Sequence, residues 1–140
     1  MQSQTFKSSN NKLYTKFSNS DAWLWNDAAT DAHEVLKYEI NKALTTILGY
    51  KCDELVLTCK SEIQKYYFNS ELSVDSKVFE KHKYGNWYYF LSKSSGLPLR
   101  SKIENDQFVL ETTATEVKAM KLENAFFEIP ANAQTMKTPD

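Results

Sequence analysis

The stretch at residues 87–98 constrains the fold of this chain more than any other part of the sequence. It reads WYYFLSKSSGLP, so four aromatic residues in a row precede two residues that interrupt regular structure. Gly96 accepts the left-handed backbone that ends many helices, and Pro98 cannot continue a helix. The stretch therefore predicts a short element that stops abruptly and leads into a strand.

Two structures are open for the aromatic part of this stretch. Trp87, Phe90 and Leu91 have the i, i+3 and i+4 spacing of one helical face. Asn86 is suited to cap a helix at residues 87–94. Aromatic residues also have high β-propensity, which would favour a strand. Because the spacing, the cap and the stop signals agree, we predict a helix that points its apolar face into the core.

Most of the remaining chain alternates between apolar and polar residues, as strands do. Period-two alternation and turn residues predict three hairpins. They pair residues 12–18 with 21–26, 50–59 with 62–69, and 97–104 with 107–118. A further short helix is predicted at 76–83 with Asp75 as its cap, and one helical turn at 122–126. This order of elements indicates an α+β, mostly β fold, in which one or two short helices pack on an antiparallel sheet.

The segment at residues 34–48 is ambiguous between helix and strand. Its apolar residues recur at the spacing of a helical face, at Leu36, Ile40, Ala43, Leu44 and Ile47. The same segment is rich in β-branched and aromatic residues, which favour a strand. Periodicity alone favours the helix.

Length and charge limit the classes of protein to be considered. The 140 residues suit a single domain, with an ordered core expected at 12–130 and polar tails at 1–11 and 131–140. The 17 Lys+Arg and 18 Asp+Glu nearly balance, which argues against a nucleic-acid-binding surface. No stretch approaches the ~20 apolar residues of a membrane-spanning helix.

The residues that usually carry catalysis or hold metals are scattered in this sequence. His33 and His82 have no nucleophile motif beside them, and with Cys52 and Cys59 they do not have zinc-ligand spacing. The two cysteines are seven positions apart, so on one regular strand they would face opposite sides and could not form a disulfide without a bulge. We expect a protein that is not an enzyme and has no catalytic residues, metal or cofactor.

The aromatic residues are the remaining functional signal. Packing in the core would account for many of them. A groove between sheet and helix that binds a lipid, peptide or glycan would also use them, as would a surface for a protein partner. The residues that we expect at such a groove are Trp23, Trp25, Tyr66, Tyr88 and Tyr89.

Several short strings resemble a known group of secreted proteins. The strings YEI at 38–40 and ILGYKC at 47–52 are similar to the pattern of GLPGLI-type proteins. The string GLPL at 96–99 is similar to a strand of related envelope proteins. The ending with TEV at 115–117 and FFEIP at 126–130 resembles the end of that group. After Pro98 the chain has Leu99 and Arg100 where GLPGLI proteins have a second glycine.

This resemblance implies a secreted or periplasmic protein of a Gram-negative envelope. It implies a curved, antiparallel half-barrel like that of the lipoprotein carriers LolA and LolB, whose concave face holds acyl chains. It also favours a strand at residues 35–41, and on that ground we predict a strand. The expected partners are a lipid or other hydrophobic small molecule, or an envelope protein. The start of the sequence, MQSQTFKSSNN, resembles a mature N-terminus from which a signal peptide has been removed.

Overall fold

The alternating segments of the chain form two β-sheets, which a computed structural model of the protein describes for residues 2–30 and 33–138. The first sheet has the order β1-β2-β3-β9, and its strands are β1 (Gln2–Lys7), β2 (Lys12–Phe17), β3 (Trp23–Asp27) and β9 (Thr135–Lys137). The second follows the chain as β4 (Val35–Ile47), β5 (Tyr50–Cys59), β6 (Ile63–Ser73), β7 (Gly96–Glu104) and β8 (Val109–Thr113). One α-helix, α1 (Trp87–Ser94), lies between β6 and β7 in the chain.

The predicted fold class, α+β and mostly β, is confirmed. Strands make up 51% of the described residues and helices 13%. All neighbours in the five-stranded sheet are antiparallel, whereas β3 and β9 pair in parallel. The sequence predicts that the hairpin at 12–26 belongs to the same sheet as the hairpins at 50–69 and 97–118. It forms a separate sheet instead, because β1 and β9 supply its neighbours.

A two-residue turn joins β4 to β5 and fixes the pairing between them. Ile47 pairs with Tyr50, and the two residues between them, Leu48 and Gly49, have φ angles of 52° and 80°. Positive φ at both central positions is the geometry of a tight hairpin turn whose twist matches that of the strands. The predicted turn at Gly49 is confirmed.

Strand β4 confirms the strand predicted at residues 35–41. The register of its pairing with β5 shifts twice. One shift lies between Val35 and Lys37 and the other between Asn41 and Thr45. At the second shift Ala43 has a φ of 53°, and its N–H donates to Oδ1 of Asp53 at 2.8 Å. These irregularities are β-bulges, which insert extra residues on one strand of a pair.

The main core lies between α1 and one face of the five-stranded sheet, which we call the helix face. This face carries Leu55 and Leu57 of β5 and Tyr66 and Phe68 of β6, all buried. Phe90 and Leu91 of α1 pack on them and are fully buried. The Phe90 ring lies 4.7 Å from that of Tyr66 and 6.0 Å from that of Phe68. The predicted helix at 87–94 and its buried face are confirmed.

Both ends of α1 differ from the prediction in detail. Asn86 makes no side-chain capping hydrogen bond, because its φ of 61° turns the side chain into the core instead. The left-handed residue at the other end is Ser95, with a φ of 50°, and not Gly96. Gly96 begins β7, where a Cβ atom would lie 2.9 Å from the carbonyl oxygen of Asn69. The glycine is therefore needed for close backbone approach and not for the helix end.

The opposite face of the sheet, which we call the outer face, has a smaller core. Ile47, Cys52 and Leu99 are buried there, with Tyr67 packed beside them. Cys59 belongs to the helix face, so the two cysteines lie on opposite faces as the alternation predicts. Both cysteines are buried.

Three predicted elements are shorter in the structure than in the prediction. The helix predicted at 76–83 is a 3₁₀ turn at Ser76–Phe79, and Asp75 caps it as predicted by accepting from the Lys77 N–H at 3.0 Å. The strand predicted at 107–118 ends at Thr113, since its partner strand reaches Pro98, which has no N–H to donate. The turn predicted at 122–126 is a 3₁₀ turn at Asn124–Phe127.

The predicted boundaries of the ordered region, 12–130, also differ from the structure. Residues Gln2–Lys7 form β1, which pairs along its whole length with β2. Residues Thr135–Lys137 form β9 beside β3. Both segments are polar, and they form strands because a neighbouring strand offers backbone hydrogen bonds, which need no apolar pattern.

Backbone hydrogen bonds of Ala28 join the four-stranded sheet to the segment before α1. The Ala28 carbonyl accepts from the N–H groups of Lys83 at 2.6 Å and Tyr84 at 2.9 Å. The Ala28 N–H donates to the Asn11 carbonyl at 3.0 Å, and Ala28 itself is fully buried. This link brings β1 and β2 close to β6, β7 and β8 of the five-stranded sheet.

If the packing of α1 holds the fold together, Phe90→Ala should lower the free energy of unfolding by about 3–5 kcal/mol, because it removes a fully buried ring. Phe108→Ala is the matched control, because that ring is 50% exposed in the β7–β8 turn. The control should cost less than about 1 kcal/mol. Urea unfolding followed by circular dichroism measures both. Equal losses for the two variants would show that α1 packing is not the main support.

Candidate functional site

A cavity of about 590 Å³ lies where the two sheets approach each other. One side is formed by β1 and β2, the second by the segment before α1, and the third by β6, β7 and β8. Its apolar lining comes from all three sides and consists of Phe6, Leu13, Phe79, Trp87, Ile103 and Leu110. The cavity is therefore assembled from segments that are distant in sequence.

Strand pairing places the floor of the cavity on the helix face, beyond the first residue of α1. Gln64 pairs with Ile103, and Ile103 pairs in turn with Leu110. Tyr66 pairs with Ser101 one step further along the same face. Because alternate residues of a strand share a face, these side chains all point to the same side of the sheet.

Four rings form the wall opposite the floor. Phe6 of β1 lies 4.4 Å from the His82 ring and 5.8 Å from the Phe79 ring, measured between centroids. Trp87 meets Phe79 edge-on at 6.2 Å and His82 at 6.3 Å. Such edge-to-face and tilted contacts are favourable for aromatic rings. They connect the first strand of the chain to the first residue of α1.

A hydrogen-bond network on the helix face borders the cavity. The amide of Gln64 donates to Oε2 of Glu62 at 2.7 Å. The carbonyl oxygen of Gln64 accepts from Asn86 at 3.0 Å and from the Tyr66 hydroxyl at 3.4 Å. Asn86 also lies 3.7 Å from the Cys59 sulfur. Burial raises the pKa of Tyr66, so its hydroxyl stays protonated and remains a donor.

Two histidines also line the cavity. His82 is buried, and its Nδ1 has no hydrogen-bond partner among the residues that the structure describes. Burial lowers the pKa of this histidine, which keeps the imidazole neutral. The His33 Nδ1 lies 3.6 Å from Oε1 of Glu62, whose side chain is 8% exposed. This distance allows an ion pair when the histidine is protonated, but it is long for a hydrogen bond.

The structure separates the five aromatic residues that the sequence predicts at a groove. Tyr66 lines the cavity. Tyr88 and Tyr89 line a smaller cavity of about 170 Å³ beside Lys83. Trp23 and Trp25 lie on β3, and the Trp25 ring is covered by the Lys12 ammonium at 4.0 Å from its centroid.

The cavity also does not lie beneath α1, although the aromatic residues predict a groove between sheet and helix. Phe90 and Leu91 fill the space between helix and sheet and are fully buried. The lining residues that sequence reasoning missed include Phe6, Glu62, Gln64 and His82. Gln64 gives a signal that could have been used, because it is a polar residue on the buried side of an alternating strand.

Neither chemistry nor similarity to known proteins assigns a function by itself. Within residues 2–30 and 33–138, no group of three or more His, Cys, Asp or Glu residues could hold a metal ion. None of the helices described is long and apolar enough to cross a membrane. No protein-family model, curated protein or solved structure matches this chain.

The link between Asn86 and Gln64 can be tested with two substitutions at one position. Asn86→Gly should lower the free energy of unfolding by about 1–3 kcal/mol, because Gln64 loses a buried donor. Asn86→Ala should cost about 1 kcal/mol more, because alanine is disfavoured at a φ of 61°. Urea unfolding of both variants checks this order. A glycine variant as stable as the unsubstituted protein would contradict the structural role of the amide.

The lowered pKa of His82 also predicts a dependence of stability on pH. As the pH falls below the usual histidine value of 6.5, the unfolded chain takes up a proton that the folded protein does not. The free energy of unfolding should therefore fall between about pH 7 and pH 5. His82→Gln should make this decline shallower, as measured by unfolding at a series of pH values. The same slope in both proteins would show that His82 is not protected from protonation.

Proposed function

We propose that this protein binds a lipid or another small hydrophobic ligand in the cavity between its two sheets, and that it does so as a non-enzymatic protein of the cell envelope. The observation that carries the proposal is the cavity of about 590 Å³ with its aromatic wall. Ligand sites in proteins commonly measure about 300–1,000 Å³ and combine apolar walls with a few polar groups. The cavity has this size and this composition.

The arrangement of the lining supports a ligand with an apolar body and one polar end. The apolar side chains come from all sides, whereas Glu62, the one carboxylate among the described lining residues, lies beside Gln64 at the start of β6. Phe79 and Trp87 offer flat apolar surface opposite the sheet. A ligand would therefore be oriented, with its polar end toward Glu62.

The proposed location is the periplasm or the outside of the cell. The support is the resemblance of the strings at 47–52 and 96–99 to secreted envelope proteins. A ligand cavity against an antiparallel sheet fits the LolA-like role that this resemblance implies. Lipids that cross an aqueous compartment need such a protected site, because their apolar surface is unfavourable in water.

A second function, docking of an envelope protein partner, is favoured by one observation. The outer edge of β8 is unpaired among the described residues, and its Val109 and Leu110 are 62% and 53% exposed. An unpaired edge with apolar side chains can accept a further strand from another protein. In that case the cavity would not bind ligands.

A fluorescent apolar probe, N-phenylnaphthylamine, distinguishes the two functions. We expect saturable binding with one site per chain. Leu110→Trp should weaken the binding at least about fivefold, because Leu110 lines the mouth of the cavity and a larger side chain would fill it. The Leu110 side chain is 53% exposed, so a larger side chain at this position should not unfold the protein. Fluorescence titration measures the affinity.

Val109→Trp is the matched control. It introduces the same side chain one position earlier on β8, where alternation points it to the outer face. Its affinity for the probe should equal that of the unsubstituted protein. Probe binding that does not saturate, or that falls equally in both variants, would contradict the cavity function.

A further inference from the structure

We propose that the cavity selects amphiphilic ligands whose polar end is an ammonium group over those whose polar end is an anion. This inference rests on the proposed function and adds the chemical class of the ligand. It follows from the charge, the free hydrogen-bond capacity and the aromatic surface of the lining.

The charge of the lining is the first reason. Glu62 is the one Asp or Glu among the described lining residues, and no Lys or Arg lines the cavity with it. Its side chain is only 8% exposed, so solvent screens the carboxylate poorly. The neutral His82 adds no positive charge. An anionic ligand would therefore meet a buried like charge, with no Lys or Arg in the described lining to offset it.

The unused acceptor capacity of Glu62 is the second reason. Gln64 donates to Oε2 at 2.7 Å, and Oε1 faces His33 at 3.6 Å, which is beyond ordinary hydrogen-bond distance. A carboxylate has about four lone-pair sites, so Oε1 can still accept strong hydrogen bonds. An ammonium group has three donors and carries the complementary charge.

The aromatic wall is the third reason. The rings of Phe6, Phe79 and Trp87 line the cavity together within centroid distances of 5.8 Å and 6.2 Å. The face of an aromatic ring attracts cations, and tryptophan does so most strongly. The same rings pack against an alkyl chain, so wall and carboxylate favour the same amphiphile.

A series of ligands with one chain and three polar ends tests the proposal. Decylammonium, decanol and decanoate would each compete with N-phenylnaphthylamine, at about pH 8, where free imidazole is neutral. Decylammonium should displace the probe at a concentration at least about tenfold lower than decanoate, with decanol between them. This comparison uses the unsubstituted protein and needs no variant.

Glu62→Gln then tests the residue that carries the proposal. The substitution removes the charge and keeps an oxygen that can accept from Gln64. Decylammonium should lose its advantage, so that it displaces the probe within about twofold of decanol. Glu54→Gln is the matched control, because Glu54 is also a buried carboxylate that accepts from Asn41, at 2.8 Å, but does not line the cavity. The control should keep the ammonium preference.

The outcomes separate this inference from the function on which it rests. Decanoate binding as tightly as decylammonium would overturn the ammonium preference and leave ligand binding intact. The same preference in Glu62→Gln as in the unsubstituted protein would also overturn it. A protein that binds neither the probe nor any of the three ligands would overturn the proposed function itself.

Discussion

The packing of Phe90 and Leu91 onto β5 and β6 is the contact on which the rest of the structure depends. A helix of eight residues is too short to be stable alone, so α1 is helical because this packing holds it there. The packing also fixes Trp87, the first residue of α1, whose ring lies 5.7 Å from that of Phe90 and lines the cavity. Core and candidate site are therefore parts of one arrangement.

Local patterns were sufficient for the elements whose signals agree with one another. The helix at 87–94 and the hairpin of β5 and β6 follow from spacing and turn residues alone. Strand β4 shows why periodicity misleads, because alternation puts Ile40 on the helix face and Ile47, seven residues later, on the outer face. Apolar residues that serve two faces of a sheet can imitate the single stripe of a helix. Strand β1 has no apolar alternation, and it forms a strand because it pairs with β2 along its whole length.

The candidate site was less predictable than the fold for a physical reason. Of the aromatic residues expected at a groove, Tyr66 lines the cavity, and its place follows from alternation along β6. Phe6 and His82 meet because the segment before α1 is held against the four-stranded sheet by hydrogen bonds between distant parts of the chain. No spacing within the sequence encodes such a contact. The place of Glu62 and Gln64 could be predicted from the sequence, because both are polar residues on the inward-facing side at the start of β6.

The backbone hydrogen bonds of Ala28 have a consequence for the shape of the cavity. Its carbonyl holds the segment that carries His82, and its N–H holds the β1–β2 turn through Asn11. Because Ala28 is fully buried, a larger side chain there would tilt one wall of the cavity against the other. Ala28 does not itself line the cavity. The width of the cavity is thus adjustable from a residue that does not line it, while every lining residue stays the same.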